Sequence, residues 1–296
     1  KFQLVLIKLY FNMGKEKNAL ELLNNAKRKL KNNVNFYNFI GLRSLMEGNF
    51  EDGWKYYEYR GSKLTNVLNN TIEWNGEDLK DKNIIVFSEQ GLGDTIQFSK
   101  YILSLIDISK SVSFVVSNSV YSLFNSNIKN FNLLTKETLG SEVYDFKITL
   151  GSLIKFFYKK KYDNKNILIK KNITQISEWN NKIDSSKPNV GLVWSGSFHG
   201  PNQPLRSLPL DNLDKVLSLD INFYCLQNEV WDRDKEFFKK SNIVDYSKKK
   251  FSEIIGIIQN LDLVISTDTF FLHLSCICNK ETWGLIPFNA DWRWYD

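Results

Sequence analysis

The chain has 296 residues, 43% hydrophobic and 14% aromatic, enough to build the cores of two domains and too apolar for a disordered chain. Its net charge of +6 is concentrated in lysine runs at 158–162 and 247–251, which read as solvated faces. Nucleic acid is therefore not an expected partner, membrane contact is at most peripheral, and no apolar run reaches the ~18 residues of a membrane span.

Three cysteines, Cys225, Cys276 and Cys278, are too few for a disulfide framework, so buried free thiols in a cytoplasmic protein are expected. The chain opens without Met and closes on the aromatic run "NADWRWYD", so truncation at both ends is expected as well.

The first 62 residues read as helices with an internal repeat. "NMGKEKNALELL" (12–23) aligns with "MEGNFEDGWKYY" (46–57), placing Gly14 and Gly48, and likewise Ala19 and Gly53, 34 residues apart. Small residues at the second pair would let the two helices of each hairpin approach closely.

From residue 83 the pattern changes to short apolar runs alternating with amphipathic segments. Strands are predicted at 83–88, 111–117, 131–135 and 144–150, then at 189–196, 221–228, 242–247, 261–267 and 282–287. Helices are predicted at 95–108, 210–219 and 251–260. A polar stretch near 174–188 marks a boundary. The expected fold class is α/β, with domains at 1–62, 63–182 and 183–296, the last two doubly wound. Ligands in such sheets lie beyond the carboxyl ends of the strands, so those loops carry the candidate chemistry.

Three strand ends stand out. In "SEQGLGDTIQF" (88–98), Gly91 and Gly93 form a turn that lacks both the Lys of a phosphate loop and the third glycine of a dinucleotide fingerprint. They permit a tight turn and close approach by a ligand. Asp94 then opens a helix, either as a cap or as a carboxylate held ionised to act as a general base. Glu89 and Gln90 beside it are candidates to read substrate hydroxyls, or simply to bond at a strand end.

In "WSGSFHGPNQPLRSLPL" (194–210) the small residue Ser195 follows a strand, and His199 and Arg206 precede a helix. Arg206 could clamp phosphate oxygens or pair with a carboxylate.

In "STDTFFLHLSC" (266–276), Thr267, Asp268 and Thr269 lead into an apolar helix that contains His273. Hydroxyls and free N–H groups there could seat a diphosphate, while His273 is either a ligand or a core residue. Gln227, at another strand end, is a further candidate for hydroxyl recognition, or equally for an ordinary strand-end hydrogen bond. Asp232-Arg233-Asp234 is a D-x-D, but acids opening a helix need no metal, and no metal site is expected.

Taken together, "GNFEDGWKYYEYR" (48–60), "EQGLGDTIQFSKY" (89–101), "LDLVISTDT" (261–269) with His273-Leu274, and "DWRW" (291–294) resemble tetratricopeptide-repeat proteins carrying a glycosyltransferase domain related to the ADP-heptose transferases, glycosyltransferase family 9. The resemblance implies a GT-B fold and metal-independent, inverting transfer from a nucleoside-diphosphate sugar, with no other cofactor. It implies Asp94 as the base, Ser195, Arg206, Thr267, Asp268, Thr269 and His273 around the donor phosphates, and a glycan, lipid or protein acceptor. The helical repeats would receive a peptide or protein partner. Phe270 and Phe271 stand where relatives carry small residues and are expected to crowd the donor. The alternative is a non-catalytic repeat scaffold with a degenerate GT-B portion.

Overall fold

The computed structural model describes residues 2–30, 33–61, 68, 70–124, 131–159, 173–184, 186–197, 203–288 and 290–294. It divides into two compact units, Lys1–Lys63 with Pro287–Asp296, and Leu64–Ile286.

The first unit is two helical hairpins, α1 (Phe2–Asn12) with α2 (Glu16–Lys29), and α3 (Val34–Met46) with α4 (Phe50–Tyr57). Gly14 and Gly48 end α1 and α3 with the same left-handed backbone, φ +69° and +74°, a conformation that costs glycine nothing. Asn33 and Asn49 cap α3 and α4 by accepting the N–H groups of Phe36 and Asp52.

The expected close approach is present in the second hairpin, where a Cβ on Gly53 would lie 2.5 Å from Leu45 Cδ2. The closing segment was expected in the third domain but packs in this unit. Trp292 sets its ring edge-on, 5.3 Å from Trp54 and 5.7 Å from Tyr57, covering part of its indole with aromatic surface.

The second unit holds two parallel five-stranded sheets. In chain order its elements are β1 (Ile72–Glu73), β2 (Asn83–Phe87), α5 (Leu92–Phe98), α6 (Ile102–Ile106), β3 (Ser111–Val115), α7 (Asn118–Phe124), β4 (Asn132–Leu134), β5 (Phe146–Thr149) and α8 (Leu150–Phe157). There follow α9 (Ile173–Asn180), β6 (Asn189–Val193), α10 (Asp214–Leu217), β7 (Asn222–Cys225), α11 (Asp232–Lys240), β8 (Val244–Asp245), α12 (Phe251–Asn260), β9 (Leu263–Thr267), α13 (Phe270–Ile277) and β10 (Thr282–Leu285).

The first sheet runs β1-β5-β2-β3-β4 and the second β10-β9-β6-β7-β8. Near-continuous apolar strands such as "NIIVF" and "NVGLV" suit sheets covered on both faces, and residues 84–87 and 189–193 are buried. Each predicted strand contains an observed one. The two-residue β1 was not predicted, because it has no apolar run and exists only by pairing with Phe146 and Lys147 of β5.

The boundary region also differs from expectation. Part of the polar stretch is helix α9, with Trp179 buried and set edge-on against Tyr246 at 5.1 Å. The amide of Asn260 in α12 bonds the Ile176 carbonyl at 3.0 Å. Buried Trp179 and half-buried Ile176 give the segment an inward face within an otherwise polar composition.

Candidate active site

From β2 in the first sheet and β6 in the second, the chain builds the next two strands on one side and then returns to the other. The reversal falls between β2 and β5 in the first sheet and between β6 and β9 in the second. Crevices at the carboxyl ends of such strand pairs are where open α/β sheets take ligands. Loops singled out in the sequence leave three of these four strands.

At the first crevice, the backbone N–H of Gly151, at the start of α8, donates to Glu89 Oε1 at 2.8 Å. Glu89 thus bridges the ends of β2 and β5. Gln90 is exposed and carries the left-handed backbone of the turn, φ +61°. Both glycines stay at ordinary φ, so their role differs from the expected one: they leave space rather than bend the chain. A Cβ on Gly91 would sit 3.1 Å from Asp94 Oδ2, which accepts the Gly91 N–H at 3.0 Å. A Cβ on Gly93 would lie 3.0 Å from His273 Cδ2 and 3.6 Å from the Phe270 Cα. The close approach that Gly93 permits is by the protein's own helix α13.

At the second crevice, Arg206 Nη1 reaches both the carbonyl and the Oδ2 of Asp268 at 3.4 Å, spanning from the loop after β6 to the loop after β9. Asp268 and Thr267 are buried, and among the described residues Arg206 Nε and Thr267 Oγ1 are buried without a protein partner. Ser266 Oγ pairs with Thr269 Oγ1 at 3.1 Å, shaping the first turn of α13.

His273 is buried one turn further along, and burial pushes its imidazole down to about 4, helped by the Arg206 charge and opposed by Asp268. It is a neutral group at neutral pH. Positive charge at this crevice therefore comes from Arg206, with the start of α13 adding its partial charge. Phe271 is buried and Phe270 half-buried, their rings edge-on at 5.5 Å, so part of their bulk faces inward.

Ser195 and Gln227 are brought together, but onto each other. Gln227 Oε1 accepts the N–H groups of Trp194 and Ser195 at 3.1 Å, and Gln227 Nε2 donates to Ser195 Oγ at 3.0 Å. Both are buried, and they tie β6 to the end of β7. His199 lies outside the described residues.

The D-x-D resolves into two different residues. Asp232 is exposed and pairs with Lys235. Asp234 is buried, accepting the Trp194 indole N–H and the Leu210 N–H, each at 3.0 Å. No sequence signal distinguished the two. Among the described residues no group of His, Cys, Asp or Glu could hold a metal ion. None of the three cysteines is disulfide-bonded, and Cys276 is exposed rather than buried as expected, because it falls on the outward side of α13.

Two parallel sheets, each with its loops gathered at a strand reversal, make a mixed α/β fold consistent with the GT-B type. Comparisons with solved structures agree on that fold. A glycosyl transferase family 9 protein from Veillonella parvula superposes with a TM-score of 0.53, at 12% identity over 72% of this chain and 84% of that one. The Escherichia coli ADP-heptose lipopolysaccharide heptosyltransferase II gives 0.50, at 11% identity over 68% and 84% of the two chains. The dodecameric iron-containing heptosyltransferase TibC, solved with ADP-D-β-D-heptose, gives 0.52, at 11% identity over 71% of this chain and 60% of TibC.

Among curated sequences, the chain is 20% identical over 172 residues to the protein FlbA of Caulobacter vibrioides, which covers 50% of this chain and 29% of FlbA. The chain thus spans less than a third of that relative. No protein-family model matches it. Among the described residues no helix is long and apolar enough to cross a membrane.

Proposed function

We propose that this chain carries a metal-independent, inverting glycosyltransferase that moves a sugar from a nucleoside-diphosphate donor to a glycan, lipid or protein acceptor. One observation carries the reading: the first turn of α5, which holds Asp94, meets the helix that starts at the Arg206–Asp268 crevice, with Gly93 against His273.

In the proposed reaction the acceptor oxygen attacks the anomeric carbon as its proton passes to Asp94. The bond to the diphosphate breaks on the opposite face, and the pair of electrons leaves with the nucleotide. Negative charge then gathers on the leaving phosphate, where Arg206, Thr267, Thr269 and the N-terminus of α13 compensate it in place of a metal ion. Neutral His273 serves by hydrogen bonding or by packing the loop.

In this reading residues 63–182 serve the acceptor and 183–296 the donor, with no cofactor beyond the donor itself. The helical pair, 1–62, acts as tetratricopeptide-type repeats that gather the acceptor or a peptide. Solved heptosyltransferases of this fold take ADP-heptose, which makes ADP the first nucleotide to try.

The non-catalytic scaffold is favoured by one feature, the pairing of Arg206 with Asp268, which engages the guanidinium that donor phosphates would need. Melting the protein with ADP, GDP and UDP decides between them. A ligand at 100 times its Kd raises stability by about 2.7 kcal/mol. The transferase reading expects such a shift for one of the three and its loss in Arg206→Ala; no shift with any of them overturns it.

A further inference from the structure

The first helix presents an apolar stripe to solvent. Phe2, Val5 and Leu9 are 79%, 54% and 50% exposed, with Met13 continuing the line at 61%. The opposite side of α1, with Leu4, Ile7 and Phe11, is buried against α2 and α3. Spacings of three and four residues place the stripe on one helix face.

The internal repeat says what such a face is for. Moving 34 residues along the chain carries Phe2, Val5 and Leu9 onto Phe36, Phe39 and Arg43. Those three are covered: Phe36 and Phe39 are 1% and 8% exposed, in one cluster with Ala19, Leu23 and Ala26 of α2. The Arg43 side chain is 14% exposed, its guanidinium 4.0 Å from the centre of the Phe11 ring and its Nη2 3.5 Å from Glu16. The face that α3 buries on the preceding hairpin is thus the face that α1 leaves open. The equivalence is structural as well as sequential, since Gly14 and Gly48 share one conformation and Ile7 and Phe11 match the buried Gly41 and Leu45.

We infer that the exposed stripe of α1 is a stacking surface for a further helical hairpin of the same 34-residue kind, seated on α1 as the α1–α2 hairpin is seated on α3. Its second helix would present small and leucine side chains of the Ala19, Leu23, Ala26 type. A second copy of this chain is a poor occupant, because its own Ala19–Leu23–Ala26 face is already filled by α3. The far end is closed too, by Trp292 on Trp54 and Tyr57. This inference is independent of the transferase reading: it rests on the helical unit alone and is read without any nucleotide.

The test is a chain with residues 1–34 duplicated in tandem ahead of Lys1, which preserves the repeat length. The added hairpin should fold onto α1, raising helical circular dichroism in proportion and the melting temperature by at least about 4 °C. Val5→Lys with Leu9→Lys in the receiving copy should abolish that gain while leaving the unextended protein's melting unchanged, since both residues are exposed there. An added hairpin that is cleaved by protease as readily as an unfolded tail, or a gain that survives the lysines, overturns the proposal. So does sedimentation of the unextended protein as a dimer that Leu9→Lys dissociates, which would make a second copy the occupant.

Discussion

Gly93 lies so close to His273 that a single methyl group on the glycine would stand 3.0 Å from the ring carbon Cδ2. These residues come from helices that follow strands of different sheets, and their contact joins α5 to α13 at the two strand reversals. Gly93→Ala cannot be relieved by moving a flexible tip, because His273 is buried and the Phe270 backbone stands behind it. Substitution should cost about 1–3 kcal/mol in denaturant unfolding. Gly140→Ala, where nothing lies within 4 Å, is the matched control and should be near neutral.

Acid should loosen the same contact. The His273 imidazole returns to its ordinary value near 6.5 on unfolding, while burial holds it down to about 4 in the native state. Between those values the unfolded chain binds the extra proton. The stability this group contributes is therefore complete above about pH 6.5 and is lost as pH falls toward 4, by about 3 kcal/mol at most. Urea unfolding of the wild type and of His273→Gln across that range checks it. The variant should lose part of the pH slope between 6.5 and 4; identical slopes would mean that the imidazole is not held neutral.

Asp94 has a structural duty and a proposed chemical one, and two substitutions separate them. Asparagine retains an oxygen for the Gly91 N–H, so Asp94→Asn should melt within about 0.5 kcal/mol of wild type. It should nonetheless lose transfer by about 100-fold or more, as removal of a general base does. Asp94→Ala should lose both, with about 1 kcal/mol of helix capping gone. Turnover that survives in Asp94→Asn would remove the base from this residue.

The acids of the D-x-D should behave oppositely to a metal-binding pair. Asp234→Ala leaves the Trp194 indole N–H and the Leu210 N–H buried without an acceptor, a loss of about 2–4 kcal/mol. Asp232→Ala removes an exposed pairing with Lys235 and should change stability by less than about 0.5 kcal/mol. Added Mg²⁺ or Mn²⁺ should not alter the melting temperature of either.

Much of this molecule was legible from local pattern. Apolar runs of four to seven residues alternating with amphipathic segments are enough to specify parallel strands, since a strand buried on both faces has few other ways to be written. The recurrence of Gly14 as Gly48 likewise marked two equivalent turns before any backbone was seen. Pattern also picked out the strand ends where polar residues gather.

Which protein groups those polar residues meet was decided by partners distant in sequence. Gln227 read equally well as a ligand-binding amide or a strand-end bond, and only the fold set it against Ser195, 32 residues away. Asp234 read only as one of two acids opening a helix, and the fold alone set it to accept the indole N–H of Trp194, 40 residues away. The glycine pair looked like a bend for a ligand; the bend is at Gln90, and the space at Gly93 is taken by a helix from the other sheet. A short window determines which backbone states a segment prefers and which polar atoms it must satisfy. Whether those atoms are satisfied by another strand, a helix end or a bound molecule depends on distances across the chain, and these exist only once the tertiary structure has formed.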